Sequence, residues 1–366
     1  MTKITPFKNF LHIKNFRRFF CFFLSLLLLT SCAHRAKTPL IVYAAGSLST
    51  PLRAFETAFE QAHPDVDIYT EHHGSNQVVR HATELNEAID IMLVADHTLI
   101  PVMMYTHTMP DSDLPYADWT IQFAANRMAL AYTENSRYAD EITSENWYEI
   151  LGRKDVRIGL SDPRMDPSGY RSLMLLKLAE KHYQVGNIFS QIFDNQFVIP
   201  IKTYNQSELS TILVPEQLEP RSGARIILRG SGTQLLSLLE SGDIDYAFEY
   251  ESIIHQHNLS SISLSDPVNM GNRAYQQQYE QVQVQLDYKN LTAARPEFKG
   301  STITYGLTIP ANAPNPELAA EYIQFLFSDQ GRAIMNANHH PLLDPAIVDR
   351  HENLPPALQP FAAPGE

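Results

Sequence analysis

Cysteine is nearly absent. The 366-residue chain has two, Cys21 and Cys32, and both lie in its first 32 residues. The body beyond them has no thiol for a disulfide, a thiolate metal site or a cysteine nucleophile, so those chemistries are excluded. Basic residues are also short: 28 Lys and Arg stand against 41 Asp and Glu, for a formal charge of −13. Five of the 28 fall in the first 31 residues, which hold no acid, so the remainder carries 23 against 41, or −18. Such a surface repels polyanions, which argues against nucleic acid, and any anion it binds must be held by local donors and not by a global field. No low-complexity tract or short-period repeat occurs. Nucleophile-elbow, phosphate-loop and zinc-protease motifs are missing too. Arg229-Gly230-Ser231-Gly232 is glycine-rich but lacks the lysine of a phosphate loop, and it reads as a helix-start loop. The pairs His72-His73 and His339-His340 lack ligand spacing, and adjacent residues on a strand face opposite ways, so no histidine metal site is expected.

What is present begins with MTKITPFKNFLHIKNFRRFFCFFLSLLLLTSC. A basic stretch runs into an apolar core from Phe19 to Leu29 that is short for a membrane span, the order of a secretory signal. It ends in Leu29-Thr30-Ser31-Cys32, which resembles a bacterial lipobox, so residues 1–31 read as a lipoprotein signal and Cys32 as the lipidated residue. That predicts an exported protein anchored at a membrane surface, facing the periplasm or the cell exterior.

The remaining 330 or so residues suffice for two lobes, each with its own core. From Thr38 the run PLIVYAAG reads as a buried strand, and Leu52, Phe55 and Phe59 follow at helical spacing after Thr50 as N-cap and Pro51 at the first helical position. DVDIYTEHHGSN with QVVRHATELNEA, then IDIMLVAD with HTLIPVMMY, repeat the plan. Strand and helix alternation predicts an α/β fold with mostly parallel sheets flanked by helices. YADWTIQFAANRMALAYTENS has no helix between its apolar runs and reads as a crossing between lobes. The expected organisation is a first lobe over 38–123, a second over 124–285, a return to the first over 286–345, and a Pro-rich tail over 346–366. The stretch 184–225 reads as irregular, an insertion in the second lobe.

Ligands in open α/β sheets bind beyond the carboxyl ends of the strands. Three segments have that address: Gly46-Ser47-Leu48, Gly74-Ser75-Asn76, and Asp166-Pro167-Ser168-Gly169-Tyr170 before a long helix. Each offers a serine hydroxyl near the positive end of a helix dipole, which suits an oxyanion; helix capping is the plainer role for each serine alone. Asp166 and Glu249 oppose a simple anion trap, because carboxylates repel a divalent oxyanion in a poorly solvated cleft. They fit a bound centre that accepts further oxygen ligands, as hexavalent molybdenum and tungsten do and sulfur in sulfate does not. A turn-forming Asp166 and an ion-paired Glu249 are the alternatives. Arg171, in the first turn of its helix, opposes the dipole and needs a partner, a bound anion or an acid such as Asp162.

Taken together, AGSL, HHGSNQVVR, DIMLVADHTLI, SDPRMDPSGYRSLM, LLESGDIDYAFEYESIIHQHNL, TITYGLTIP and PELAAEYIQFLFSDQGRAIM resemble the tungstate/molybdate-binding proteins of ABC importers, in the branch typical of archaea and some bacteria. The resemblance implies a two-lobed type II periplasmic binding protein fold with crossing hinge segments. It also implies a monomer that needs no cofactor and delivers tungstate or molybdate to a membrane permease. The ligand would be held by Gly46, Ser47, Ser75 and the Asp166, Pro167, Ser168, Gly169, Tyr170 loop. Asp166 and Glu249 would complete six oxygen ligands around the metal, with Glu251, two residues on, as the alternative to Glu249. Ser168 stands where the family commonly has Cys, Asn76 replaces a small or hydroxyl residue, and IIHQHNL replaces a small Val-Ala before Gln-His. Two other functions are compatible with the residues: a receptor for sulfate or phosphate, and a secreted hydrolase using Ser47 or Ser168, for which no histidine lies nearby in sequence.

Overall fold

A computed structural model describes residues 36–110, 112–287 and 296–365; the expected signal segment and Cys32 lie outside these. The chain starts as strand β1 (Thr38–Ala45), helix α1 (Ser49–Ala62), β2 (Val66–His73), helix α2 (Ser75–Thr83), β3 (Ile91–Val94) and β4 (Ile121–Ala125). Through Asn126-Arg127 it enters β5 (Met128–Tyr132), β6 (Ile158–Ser161), helix α3 (Pro167–Tyr183) and helix α4 (Ile188–Phe193). The strands β7 (Lys202–Gln206), β8 (Leu209–Val214), β9 (Ile226–Arg229), β10 (Tyr246–Tyr250), β11 (Ser260–Ser263), β12 (Val282–Leu286) and β13 (Glu297–Lys299) follow. It returns as β14 (Thr304–Thr308), helix α5 (Pro316–Phe327), helix α6 (Asp329–Ala337), β15 (Leu342–Val348) and β16 (Ala362–Pro364).

Three sheets result. The first lobe is one sheet in the order β16-β15-β4-β14-β3-β1-β2, and the second has sheets β11-β5-β10-β6-β9 and β13-β12-β8-β7. The sheets are mixed, not mostly parallel: β2, β1 and β3 run parallel, while β14, β4 and β15 pair antiparallel. The reason lies in the crossings, since strands that enter from the other lobe need not follow a βαβ path.

Side-chain periodicity explains the elements that flank the cleft. In α1 Leu52, Phe55 and Phe59 form one buried face, and Phe55 meets Tyr322 and Phe325 of α5 with ring centroids 4.7 and 5.0 Å apart. A 3-10 turn, Gly46–Leu48, runs directly into α1, so Thr50 lies inside the helix and does not cap it. Helix α3 is buried on nearly every side and packs on β10 and β12. Asp166 caps it by accepting from the Ser168 N–H at 3.0 Å, and Pro167 opens its first turn.

Three boundaries differ from the sequence reading. Residues 184–225 hold α4 and the β7–β8 hairpin; β7 is exposed throughout and β8 alternates behind Ser210 and Thr211, so neither displays a clear apolar period. Second-lobe pairing runs past 285, because β13 joins β12, and β4 stays in the first sheet to Ala125. The expected tail from 346 is part of the first sheet. There β15 pairs with β4 and β16, and the register breaks between Leu342 and Ile347, where Asp344-Pro345 interrupts the apolar pattern. The Asp349 carboxylate then accepts from the Thr120 N–H at 2.8 Å and the Tyr105 hydroxyl at 2.6 Å.

A chain ended at Pro341 loses buried Ala346, Val348, Leu354, Leu358 and Ala362. At roughly 25 cal/mol per Å² of apolar area, this should lower the thermal midpoint by about ten degrees or more. An unchanged midpoint in a melting curve would make the segment a dispensable tail after all.

Candidate functional site

The carboxyl ends of β1, β2, β3, β6, β9 and β10 converge where the lobes face each other. The lobes touch there: the Asn76 N–H donates to the Met165 carbonyl at 3.1 Å. A Cβ on Gly74 would sit 2.3 Å from that carbonyl oxygen, and one on Gly46 would sit 3.1 Å from the Thr233 hydroxyl. Glycine at 74 is therefore a matter of close approach between lobes; its φ of −61° suits any residue.

Asp166 and Glu249 flank Gly232. The Gly232 N–H donates to Asp166 Oδ2 at 2.9 Å, and a Cβ on Gly232 would lie 1.9 Å from Glu249 Oε2. Glu249 Oε1 accepts from the Tyr250 N–H at 2.7 Å, whereas Oε2 is buried with no hydrogen-bond partner. Burial raises the Asp166 pKa against the opposing pull of the Gly232 and Ser168 N–H groups. Burial, with repulsion from Asp166 added, pushes Glu249 up to about 8. Burial beside a second carboxylate therefore favours the protonated form of Glu249 near neutral pH. Glu251 does not share this place: it starts a short helix and pairs with Arg127 at 2.5 Å.

The hydroxyls line the same region. Ser47 Oγ accepts from the Tyr305 hydroxyl at 2.9 Å, and Ser75 Oγ accepts from the Ala95 N–H at 2.9 Å. Ser168 Oγ, 2.8 Å from Ser161 Oγ, is occupied within its own lobe. Gly169 allows α3 to lie against the strand before it, since a Cβ there would meet the Ser161 carbonyl oxygen at 2.3 Å. Tyr170 points its side chain elsewhere: its hydroxyl donates to Asp96 Oδ2 at 2.5 Å and its ring stacks on Phe298.

Arg171 does have an acid as partner, but it is Asp96 of the first lobe, at 3.1 Å, and not Asp162, which pairs with Arg164. Sequence reasoning also passed over Gly232, Tyr250, Tyr305 and Asn126, whose Nδ2 donates to the hydroxyls of Ser252 and Tyr305 at 2.8 and 3.1 Å. A signal existed for Gly232 and for Asp96, which was likewise passed over: Asp96 follows the third strand, and Gly232 sits in the Arg229–Gly232 stretch at the end of β9, both at the strand-end address.

Comparison with known proteins matches residues 40–339 to the family described as bacterial extracellular solute-binding protein. A molybdate/tungstate-binding protein of Thermococcus kodakarensis is 37% identical over 320 residues, covering 85% of this chain and 84% of that one. One from Pyrococcus abyssi is 37% identical over 318 residues, covering 84% and 86%. Among solved structures, the periplasmic molybdate-binding protein of Azotobacter vinelandii has a TM-score of 0.51 at 13% identity, covering 83% of this chain and 100% of that one. A sulfate-binding protein of Mycobacterium tuberculosis has 0.54 at 13%, covering 84% and 88%. At such identities the likeness is one of fold: two α/β lobes of the periplasmic binding protein type.

The Glu249 carboxyl yields a pH prediction. Its folded pKa, about 8 against an ordinary 4.5, means that between these values the unfolded chain has released a proton that the fold retains. Stability of the ligand-free protein thus falls as pH rises through that window, by up to on the order of 4 kcal/mol. Glu249→Gln should melt several degrees above the parent at pH 8 and close to it at pH 4.5. Equal offsets at both pH values would mean an ordinary, hydrated carboxylate.

Proposed function

The chain belongs to the bacterial extracellular solute-binding protein family, and from that premise we propose that it captures tungstate or molybdate between its lobes and hands it to an ABC permease. The observation that carries this is the buried carboxylate pair around Gly232, with Glu249 Oε2 unpartnered. Sulfate and phosphate have saturated centres and would meet two carboxylates as repulsion. Hexavalent tungsten and molybdenum accept added oxygen ligands, so the same two groups become attractive once ionised against the metal. Ser47, Ser75 and the strand-end backbone of Gly46 and the Asp166–Gly169 turn would hold the oxo groups. Two relatives that bear the name molybdate/tungstate-binding protein support the cargo.

The protein acts by binding, without chemistry on its ligand. Among the described residues the hydrogen-bond partners of the candidate serines are hydroxyls and not a base: Ser47 Oγ is held by Tyr305 and Ser168 Oγ lies by Ser161, while the buried His340 reaches Ser252 at 3.2 Å. Anchoring through Cys32 would keep a monomeric receptor at the outer face of the membrane beside its permease. Among the described residues no helix is long and apolar enough to cross a membrane.

A thermal-shift titration of the ligand-stripped protein checks the cargo. At about 1,000 times its dissociation constant a ligand adds roughly 4 kcal/mol, and tungstate or molybdate should shift the midpoint by several degrees while sulfate and phosphate do not. Asp166→Ala and Glu249→Ala should each remove the shift; a sulfate response that survives Asp166→Ala would point to a tetrahedral-oxyanion receptor instead. Gly74→Ala, compatible with the backbone but not with Met165 across the cleft, should weaken tungstate binding at least tenfold. Full affinity in that variant would show that closure needs no such approach.

A further inference from the structure

Beside the carboxylates the lobes meet through a second charged group that oxyanion binding leaves unused. Arg171 of the second lobe and Asp96 of the first are 1% and 3% exposed, with Nη2 3.1 Å from Oδ2. Arg171 Nη1 donates to the Ala95 carbonyl and to the Tyr250 hydroxyl, each at 2.7 Å. Asp96 also accepts from the Tyr170 hydroxyl at 2.5 Å and from the N–H and hydroxyl of Thr98 at 3.0 and 2.8 Å. The Arg171–Asp96 ion pair and the hydrogen bonds from Arg171 to Ala95 and from Tyr170 to Asp96 cross the cleft. Each side of the cluster is one step from the site. The Ala95 N–H donates to Ser75 Oγ, and the Tyr250 N–H donates to Glu249 Oε1.

We propose that Asp96 and Arg171 form a cleft-spanning latch that sets the register in which the lobes close, acting as positioning residues for Ser75 and Glu249. In an open cleft water hydrates each charge separately. Closure strips that water, and the attraction gained in the dry interface roughly offsets the loss, so the pair contributes little to the strength of closing. Its effect is selective. Any other register buries a guanidinium or a carboxylate without its partner, which is far more costly than the pair is favourable. The serine loop of one lobe and the glutamate of the other therefore arrive together in one arrangement. The latch rests on the two-lobe architecture, and on the oxyanion reading only for its affinity readout.

The test is a double-mutant cycle with Asp96→Asn, Arg171→Met and the two combined, using tungstate as the probe in calorimetry and stopped-flow release, and small-angle scattering of the empty and tungstate-loaded proteins. Thermal melting confirms that each variant is folded. Each single change should raise the dissociation constant at least a hundredfold, chiefly through faster release, and leave the loaded protein as expanded as the empty one. The combined variant leaves no charge unpaired and should return to within about tenfold of the parent, with its contraction restored. Additive losses in the combined variant, or singles that bind and contract like the parent, would overturn the latch. If the parent binds no tungstate, the cargo reading fails by itself. The latch is then judged by scattering of the empty proteins, where the singles must be more expanded than both the parent and the combined variant, and equal dimensions would overturn it.

Discussion

Two buried carboxylates that repel each other between the lobes are the constraint around which this protein is arranged. Asp166 is tied down by the Gly232 and Ser168 N–H groups, and Glu249 by a single N–H, so one oxygen of the pair is buried without a partner. A proton on Glu249 relieves the repulsion. A metal oxyanion would relieve it by drawing both groups onto an electron-poor centre. Selectivity would then follow from chemistry more than from shape, because an anion whose central atom accepts no further oxygen would meet only the repulsion.

Keeping the pair dry requires the lobes to fit closely, and several otherwise unrelated details serve that fit. Gly74 lets the second strand's loop reach the Met165 carbonyl, and Gly232 leaves room for the Glu249 carboxylate. The Asp96–Arg171 ion pair spans the same interface, with Arg171 Nη1 donating to the Ala95 carbonyl and the Tyr250 hydroxyl and Asp96 accepting from the Tyr170 hydroxyl. At the crossing between the lobes, Asn126 ties Ser252 to Tyr305, and Tyr305 in turn holds Ser47, so a hydrogen-bonded path runs from the crossing segment to the Gly46–Leu48 turn. An acidic surface would not attract an anion, and with a charge balance of −18 beyond residue 31 any such attraction has to come from local donors.

Much of the arrangement was readable in the residues. Alternating strands and helices from Thr38 and the Asp166-Pro167 helix start matched simple rules, because each depends on neighbours within a few residues. Elements whose order depends on distant partners were harder. The β7 strand is exposed and has no pattern of its own, and β15 is interrupted by Asp344-Pro345. Both are strands only because another strand offers its edge. Ser168 looked like a free donor until Ser161 appeared beside it, and Tyr170 looked like part of the site until its hydroxyl turned to Asp96.

By itself, the sequence determined that the chain is a thiol-poor, acidic α/β protein, with hydroxyls and carboxylates gathered at strand ends and helix starts, and it carried the motifs of an oxyanion receptor. Those properties are local or compositional. Only the tertiary structure decided that Glu249 and not Glu251 stands by Asp166, that Gly232 separates the two, and that Arg171 answers Asp96 across the cleft and leaves Asp162 to Arg164. These choices depend on which side of a strand faces the cleft and on how two lobes meet, and electrostatic partners in a dry interface are set by distances of a few ångströms between residues far apart in the chain.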